Sequence, residues 1–190
     1  MTTEIRLAGT GGQGVILASI ILAEAAGVCE GHHVVQTQAY GPEARGGAAK
    51  ADVIISDEPI LFPKARRLDI LVCLSQQAAD RFLPDVKSSG TVILDSFHVL
   101  TCPWPDALRL PLSEAARERL GRDLFTNIVM LGALARVTGI VGFESLEQAV
   151  AGRVPPRTVE VNRQALATGW ELGGVGIKDA ASPGLGTSRP

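Results

Sequence analysis

The residues with the clearest chemical potential lie near the start of the chain, in Gly9-Thr10-Gly11-Gly12-Gln13-Gly14, where glycines fall at the x-Gly-x-Gly-x-x-Gly spacing. Residues without a Cβ let the backbone turn sharply and approach a ligand. The N–H groups and about half a positive charge at a helix start then attract an anion. The same spacing also serves as a tight strand-to-helix turn with no ligand. A nicotinamide dinucleotide needs an Asp or Glu about 20 residues further on to hold its ribose hydroxyls. That place reads Gln36-Thr37-Gln38-Ala39, with neither the acid nor a basic residue for a ribose phosphate, which argues against NAD(P). A Walker A loop needs Lys after its last glycine, and Val15 stands there. What survives is a plainer anion site over Gly11, Gly12, Gln13 and Gly14.

A second candidate is Tyr40-Gly41-Pro42-Glu43-Ala44-Arg45-Gly46-Gly47, whose three glycines and one proline predict an exposed loop. The planar fork of Arg45 can grip a phosphate through two hydrogen bonds, each contributing on the order of 1.5–3 kcal/mol. It can equally be spent on a salt bridge to Glu43 or to a neighbouring subunit. Glu43 has no second titratable group near it in sequence, so no catalytic residue is assigned. Tyr40, the only tyrosine, could stack on an adenine or anchor the loop. His32 and His33, at a strand start, cannot point the same way on an extended backbone. Cys29, Cys73 and Cys102 are far apart and form no C-x-x-C pair, so no metal or iron–sulfur site is expected from this chain alone. Cys73, inside the apolar run Ile70 to Leu74, reads as a small buried hydrophobe.

Strands and helices must position these groups. Glu4 to Ala8 alternates like a strand, and Val15 to Ala26 is Ala-, Leu- and Ile-rich like a buried helix. His33 to Gln38 and Ala51 to Ser56 read as strands. Leu68 to Leu74 and Thr91 to Asp95 are apolar runs of the kind covered on both faces, with a short helix from Gln76 to Phe82 between them. Helices are predicted over Ser113 to Leu120, Thr126 to Thr138, Phe143 to Val150 and Val159 to Leu172, with Asn127 as a cap. The fold class is α/β: one domain over residues 1–172 with a mostly parallel sheet and a Rossmann-like first strand, glycine turn and helix. Helices cover both faces, and the C-terminal part is helical. The tail 173–190, rich in Gly, Ser, Pro and Thr, is expected to be disordered.

The chain has 190 residues, 18 Lys and Arg against 20 Asp and Glu, and a net charge of -2. It carries no field that would draw it to nucleic acid or anionic lipid, and no apolar run approaches the length needed to span a bilayer. A cytoplasmic protein with neither partner is expected.

Read together, the motifs resemble the gamma subunit, or fused gamma domain, of 2-oxoacid:ferredoxin oxidoreductases. The likeness rests on four stretches: Gly11-Gly12-Gln13-Gly14-Val15; Tyr40 to Gly47 leading to Val53-Ile54-Ile55-Ser56-Asp57; Asn127 to Leu134 followed by Thr138 to Val141; and the closing stretch Asn162 to Leu172. The resemblance implies an enzyme complex that converts a 2-oxoacid to an acyl-CoA. Its thiamine diphosphate, Mg and iron–sulfur clusters would be held by partner subunits of alpha, beta and delta type, and ferredoxin would take the electrons. This chain would hold no cofactor by itself. By position in the family, Gly11 to Gly14 and Arg45 would contact the phosphates of coenzyme A. Two rivals stand beside this reading: a pure scaffold subunit, and a stand-alone nucleotide-binding oxidoreductase.

Overall fold

The computed structural model describes residues 1–38 and 48–181, with side chains described to residue 176. Its centre is a six-stranded sheet in the order β2-β3-β1-β4-β5-β6. The strands are β1 (Thr2–Thr10), β2 (His33–Gln38), β3 (Ala48–Ser56), β4 (Leu68–Cys73), β5 (Val86–Asp95) and β6 (Leu108–Leu110). Pairings from β1 through β6 on one side are parallel, whereas β3 runs antiparallel to both β1 and β2. The sheet is therefore mostly parallel, with β3 alone reversed. The reversal follows from chain length. Only residues 39–47 join β2 to β3, fewer than the dozen or so that a parallel crossover requires.

The helices are α1 (Val15–Glu24), α2 (Gln76–Phe82), α3 (Leu112–Leu120), α4 (Thr126–Thr138), α5 (Phe143–Arg153) and α6 (Val159–Ala181). Strand alternation sorts the core into two halves. Ile5, Leu7, Val53, Ile55, Ile70, Val72 and Ile93 face α1 and the four C-terminal helices. Ala8, Leu71, Cys73, Val92 and Leu94 face the other way, against α2. Helices thus cover both faces, with most of the helical mass on one. No helix among the described residues is long and apolar enough to cross a membrane.

Several boundaries differ from the sequence reading. Helix α1 stops at Glu24 and gives way to a π-turn over Ala25–Cys29. Strand β5 begins five residues earlier than expected, because Val86 pairs with Leu68 ahead of an irregularity in the ladder. The short β6 was not foreseen; three residues are too few for a periodic pattern. The largest correction concerns the tail. Disorder was expected from Gly173, yet α6 continues to Ala181. The glycines there are contact residues. A Cβ at Gly173 would lie 2.8 Å from the Ala133 carbonyl oxygen, and one at Gly176 would lie 2.8 Å from Leu110 Cδ2. Their small size lets α6 lie against α4 and β6, and the packing outweighs their poor helix propensity. Residues 182–190 are outside the described part.

Candidate functional site

The glycine turn sits at the C-terminal end of β1, where the chain leaves towards β2 and β3 on one side while β4 leads away to β5 on the other. In open α/β sheets this switch point is where a crevice forms and ligands bind. Four glycines meet there for different reasons. A Cβ on Gly9 would stand 2.5 Å from Gln13 Oε1, so Gly9 makes room for the Gln13 side chain. That side chain is used twice: its Oε1 accepts from the Thr10 N–H at 2.7 Å, and its Nε2 donates to the Leu74 carbonyl at 3.0 Å. Gln13 therefore clips the turn to the end of β4 and points inward.

Gly14 has φ of 71°, in the left-handed region, and begins α1 as its N-cap without a side-chain cap. A Cβ there would lie 2.6 Å from Asn127 Nδ2, which donates to the Gly14 carbonyl at 3.3 Å. Asn127 was expected to cap its own helix. Phe125 holds that position, with no side-chain cap bond, and buried Asn127 instead ties the start of α4 to the start of α1. Gly12 has φ of 92° and needs to be glycine on that account. Gly11 differs from the other three: its φ is not positive, and no atom of the described residues lies within 4 Å of a Cβ built on it. Nothing among the described residues requires a glycine at position 11.

The structure therefore divides the expected site. Gly11 and Gly12 lie open at the start of α1, Gln13 is turned into the fold, and Gly14 is clamped by Asn127. Arg45, Glu43 and Tyr40 lie in the loop outside the described residues. That loop rejoins the sheet at Ala48, which pairs with Thr10, while Ala49 pairs with Gly9. Gln36, where a dinucleotide-binding acid would have stood, donates through Nε2 to Ser19 Oγ at 2.9 Å and joins β2 to α1.

Sequence reasoning missed a buried charge cluster on the α2 face. Arg6 is only 3% exposed, and its guanidinium binds the Asp52 carboxylate through Nε at 2.6 Å and Nη2 at 2.8 Å. A third bond reaches Asp85, and the Phe82 ring lies 4.9 Å from the Arg6 guanidinium. Burial alone would lower the Arg6 pKa. Asp52 and then Asp85 outweigh it and hold the guanidinium above the ordinary arginine range. The signal was visible as a charge flanked by apolar residues in each of two strands, Ile5-Arg6-Leu7 and Ala51-Asp52-Val53, which pair in register. Asp95, fully buried at the end of β5, accepts from the Ser113 N–H at 3.2 Å and so supplies the cap that the start of α3 lacks.

No group of three or more His, Cys, Asp and Glu among the described residues could hold a metal ion. Cys73 is buried in the core, and Cys29 and Cys102 are half-buried.

The comparisons with known proteins agree in kind. A family model described as pyruvate ferredoxin/flavodoxin oxidoreductase matches residues 4–172. The 2-oxoglutarate synthase subunit KorC of Methanocaldococcus jannaschii is 49% identical over 176 residues, covering 90% of this chain and 94% of that protein. The crystal structure of the keto/oxoacid ferredoxin oxidoreductase gamma subunit of Geobacter sulfurreducens superposes with a TM-score of 0.83 at 42% identity, covering 91% of this chain and 99% of that one. The 2-oxoglutarate:ferredoxin oxidoreductase of Magnetococcus marinus, solved with 2-oxoglutarate, coenzyme A and succinyl-CoA bound, shares the fold. Its TM-score is 0.74 at 22% identity, over 100% of this chain and 32% of that chain.

Proposed function

Since the chain belongs to the pyruvate ferredoxin/flavodoxin oxidoreductase family and is a subunit of a multi-subunit 2-oxoacid:ferredoxin oxidoreductase, we propose that it lends its glycine turn to the coenzyme A site of that complex. The observation that carries the reading is Gly11. Fold geometry accounts for Gly9, Gly12 and Gly14, but a glycine at position 11 is needed only if something outside the described residues comes close to its backbone. The start of α1 beside it offers N–H groups and a positive dipole end, which suit a diphosphate. Arg45, three residues before the point where β3 pairs with Thr10, is the proposed second phosphate contact. The thiamine diphosphate and iron–sulfur clusters that the family reading implies would supply an electron sink and single-electron transfer. Both belong to the alpha, beta and delta-type partners, with ferredoxin as acceptor. This chain's part is to bind and orient the thiol carrier, without acid–base work.

The 2-oxoacid is proposed to be 2-oxoglutarate, the substrate named for the relative that is 49% identical. The test uses the assembled complex with thiamine diphosphate, coenzyme A and a viologen acceptor, supplied in turn with 2-oxoglutarate and pyruvate. A higher kcat/KM for 2-oxoglutarate is expected, and a preference for pyruvate refutes the substrate assignment. Gly11→Ala should leave the melting temperature unchanged and raise the KM for coenzyme A about tenfold, equivalent to ~1.4 kcal/mol. An unchanged KM removes the ligand contact while the subunit role stands. A scaffold reading draws support from Gly9, Gln13 and Gly14, all engaged inside the fold. It is favoured if Gly11→Ala or Arg45→Ala weakens assembly without altering coenzyme A dependence in the complexes that form.

A further inference from the structure

The connection from β3 to β4, residues 57–67, carries exposed apolar side chains beside a compact group of positive charge. Leu61 is 94% exposed and Phe62 48%, in the sequence Pro59-Ile60-Leu61-Phe62-Pro63-Lys64-Ala65-Arg66-Arg67. The loop is held in shape. The backbone N–H groups of Arg66 and Arg67 both donate to Glu4 Oε2, at 2.6 and 2.9 Å, Ala65 packs on the α2-side core, and two prolines stiffen the backbone around Leu61. The Arg66 guanidinium lies 4.1 Å from the centroid of the Phe62 ring.

The cations here are not neutralised within the described part of the chain. Glu4 is engaged by backbone N–H groups and Asp69 by Lys87 at 2.7 Å. Asp57 is bound by the N-terminal amine at 2.6 Å. Lys64, Arg66 and Arg67 form no ion pair among the described residues. A chain of net charge -2 thus presents three positive charges around two protruding apolar side chains, with the exposed Glu58 as the remaining carboxylate of the connection.

We propose that residues 59–67 are a docking element for another subunit of the same oxidoreductase, one that offers an apolar socket for Leu61 and Phe62 rimmed by carboxylates. Charge complementarity defines the occupant. Arg66, stacked on Phe62, keeps its remaining guanidinium donors for a carboxylate, and the flanking Lys64 and Arg67 extend the same preference. A bilayer fits less well, because two side chains on a stiff loop offer little apolar area for insertion. In the Magnetococcus marinus enzyme the matching module is 32% of one long chain, so covalent linkage keeps it beside its neighbours. Where the module is a separate chain, surface contacts have to do this. Glu4, which anchors Arg66 and Arg67, lies near the start of β1, whereas the glycine turn follows its end.

The test is made on the complex co-expressed from all its subunits. Leu61→Ser with Phe62→Ser, and separately Lys64, Arg66 and Arg67 all changed to Glu, alter only exposed positions, and melting temperatures confirm the fold. Retention of this chain is followed by size-exclusion chromatography from 0.1 to 0.5 M NaCl. Both variants are expected to dissociate at protein concentrations at least tenfold above those at which the wild type dissociates. The charge reversal should also abolish the weakening by salt. Retention within twofold of wild type for both variants overturns the proposal. So does binding of the isolated chain to phosphatidylserine vesicles that depends on Leu61, or a homodimer of the chain that Leu61→Ser dissolves. Complexes that retain this chain keep their coenzyme A dependence, which separates this outcome from failure of the glycine-turn contact.

Discussion

The contact between α4 and α6 makes a sharp prediction. At Gly169 an added Cβ would lie 1.8 Å from the Val129 carbonyl oxygen, 2.7 Å from Val129 C and 2.9 Å from Ala133 N, all backbone atoms. The facing Gly132 is equally tight, with Leu166 O at 2.1 Å from its ideal Cβ. Ordinary contact begins near 3.4 Å, so Gly169→Ala demands that the two helices separate by roughly 1.6 Å at this point. No side chain can rotate away to absorb it. Alanine brings back ~1 kcal/mol of helix propensity, whereas overpacking a core costs about 1–3 kcal/mol or more. Because backbone must move, the cost belongs at the top of that range, and the net loss is ~2 kcal/mol or greater. For a chain of this size each kcal/mol shifts Tm by about 2–4 °C, so Gly169→Ala should melt about 4–8 °C lower. Gly152, exposed on α5 with nothing nearer than 3.8 Å to its Cβ, supplies the opposite case. Gly152→Ala should raise Tm by up to about 2–4 °C. Scanning fluorimetry of the purified chain decides the matter. An unchanged or raised Tm for Gly169→Ala would falsify the backbone contact between these helices.

Other expectations concern the interior. Asp52→Ala leaves the buried Arg6 guanidinium without its two-point partner and should lower unfolding free energy by about 3–5 kcal/mol in urea titrations. Asp85→Ala, at a carboxylate 44% exposed, should cost ~1 kcal/mol or less, and equal losses would show that Asp52 has no special place. Asn127→Ala removes the donor to the Gly14 carbonyl; a loss of about 1 kcal/mol in stability is expected, with a raised KM for coenzyme A in the complex. Burial, then Cys102, push the Cys73 thiol well above its ordinary range, with Arg6 opposing. The folded protein therefore keeps this proton more tightly than the unfolded chain. The resulting stability is full below the unfolded thiol pKa near 9 and declines as pH rises beyond it. Iodoacetamide labelling at mildly alkaline pH, read by mass spectrometry, should modify Cys29 and Cys102 well before Cys73.

Much of the fold was legible because most elements carry one dominant local signal. The apolar, β-branched runs from His33 to Gln38 and from Leu68 to Cys73, and the apolar helix Thr126–Thr138, were placed to within a residue. The misses share another cause. The course of α6 beyond Leu172 depends on what Gly173 and Gly176 touch. Glycine reads locally as a breaker, and only the partner surface shows that it is there to permit close approach. Arg6 and Asp52 were passed over for the same reason, since their pairing exists only in the register between β1 and β3. The candidate site was legible as a motif, but its division of labour was not.

That division changes what the glycine fingerprint means in this chain. A turn of this spacing is usually weighed as one unit, ligand-binding or not, whereas here its residues separate by what each one meets. Gly9 yields space to Gln13, Gln13 fastens the turn to β4, and Gly14 accepts the amide of Asn127 from a helix far along the chain. These three bonds and contacts hold the start of α1 rigidly against two other elements. Rigidity there serves binding, because a preorganised set of N–H groups meets an anion without first paying to be ordered. Only Gly11 and Gly12 remain open, and of the turn's four glycines Gly11 alone has no reason among the described residues to be glycine. The substitutions therefore separate cleanly: changes at Gly9 and Gly14 should act through stability, and Gly11→Ala through whatever approaches the turn from outside.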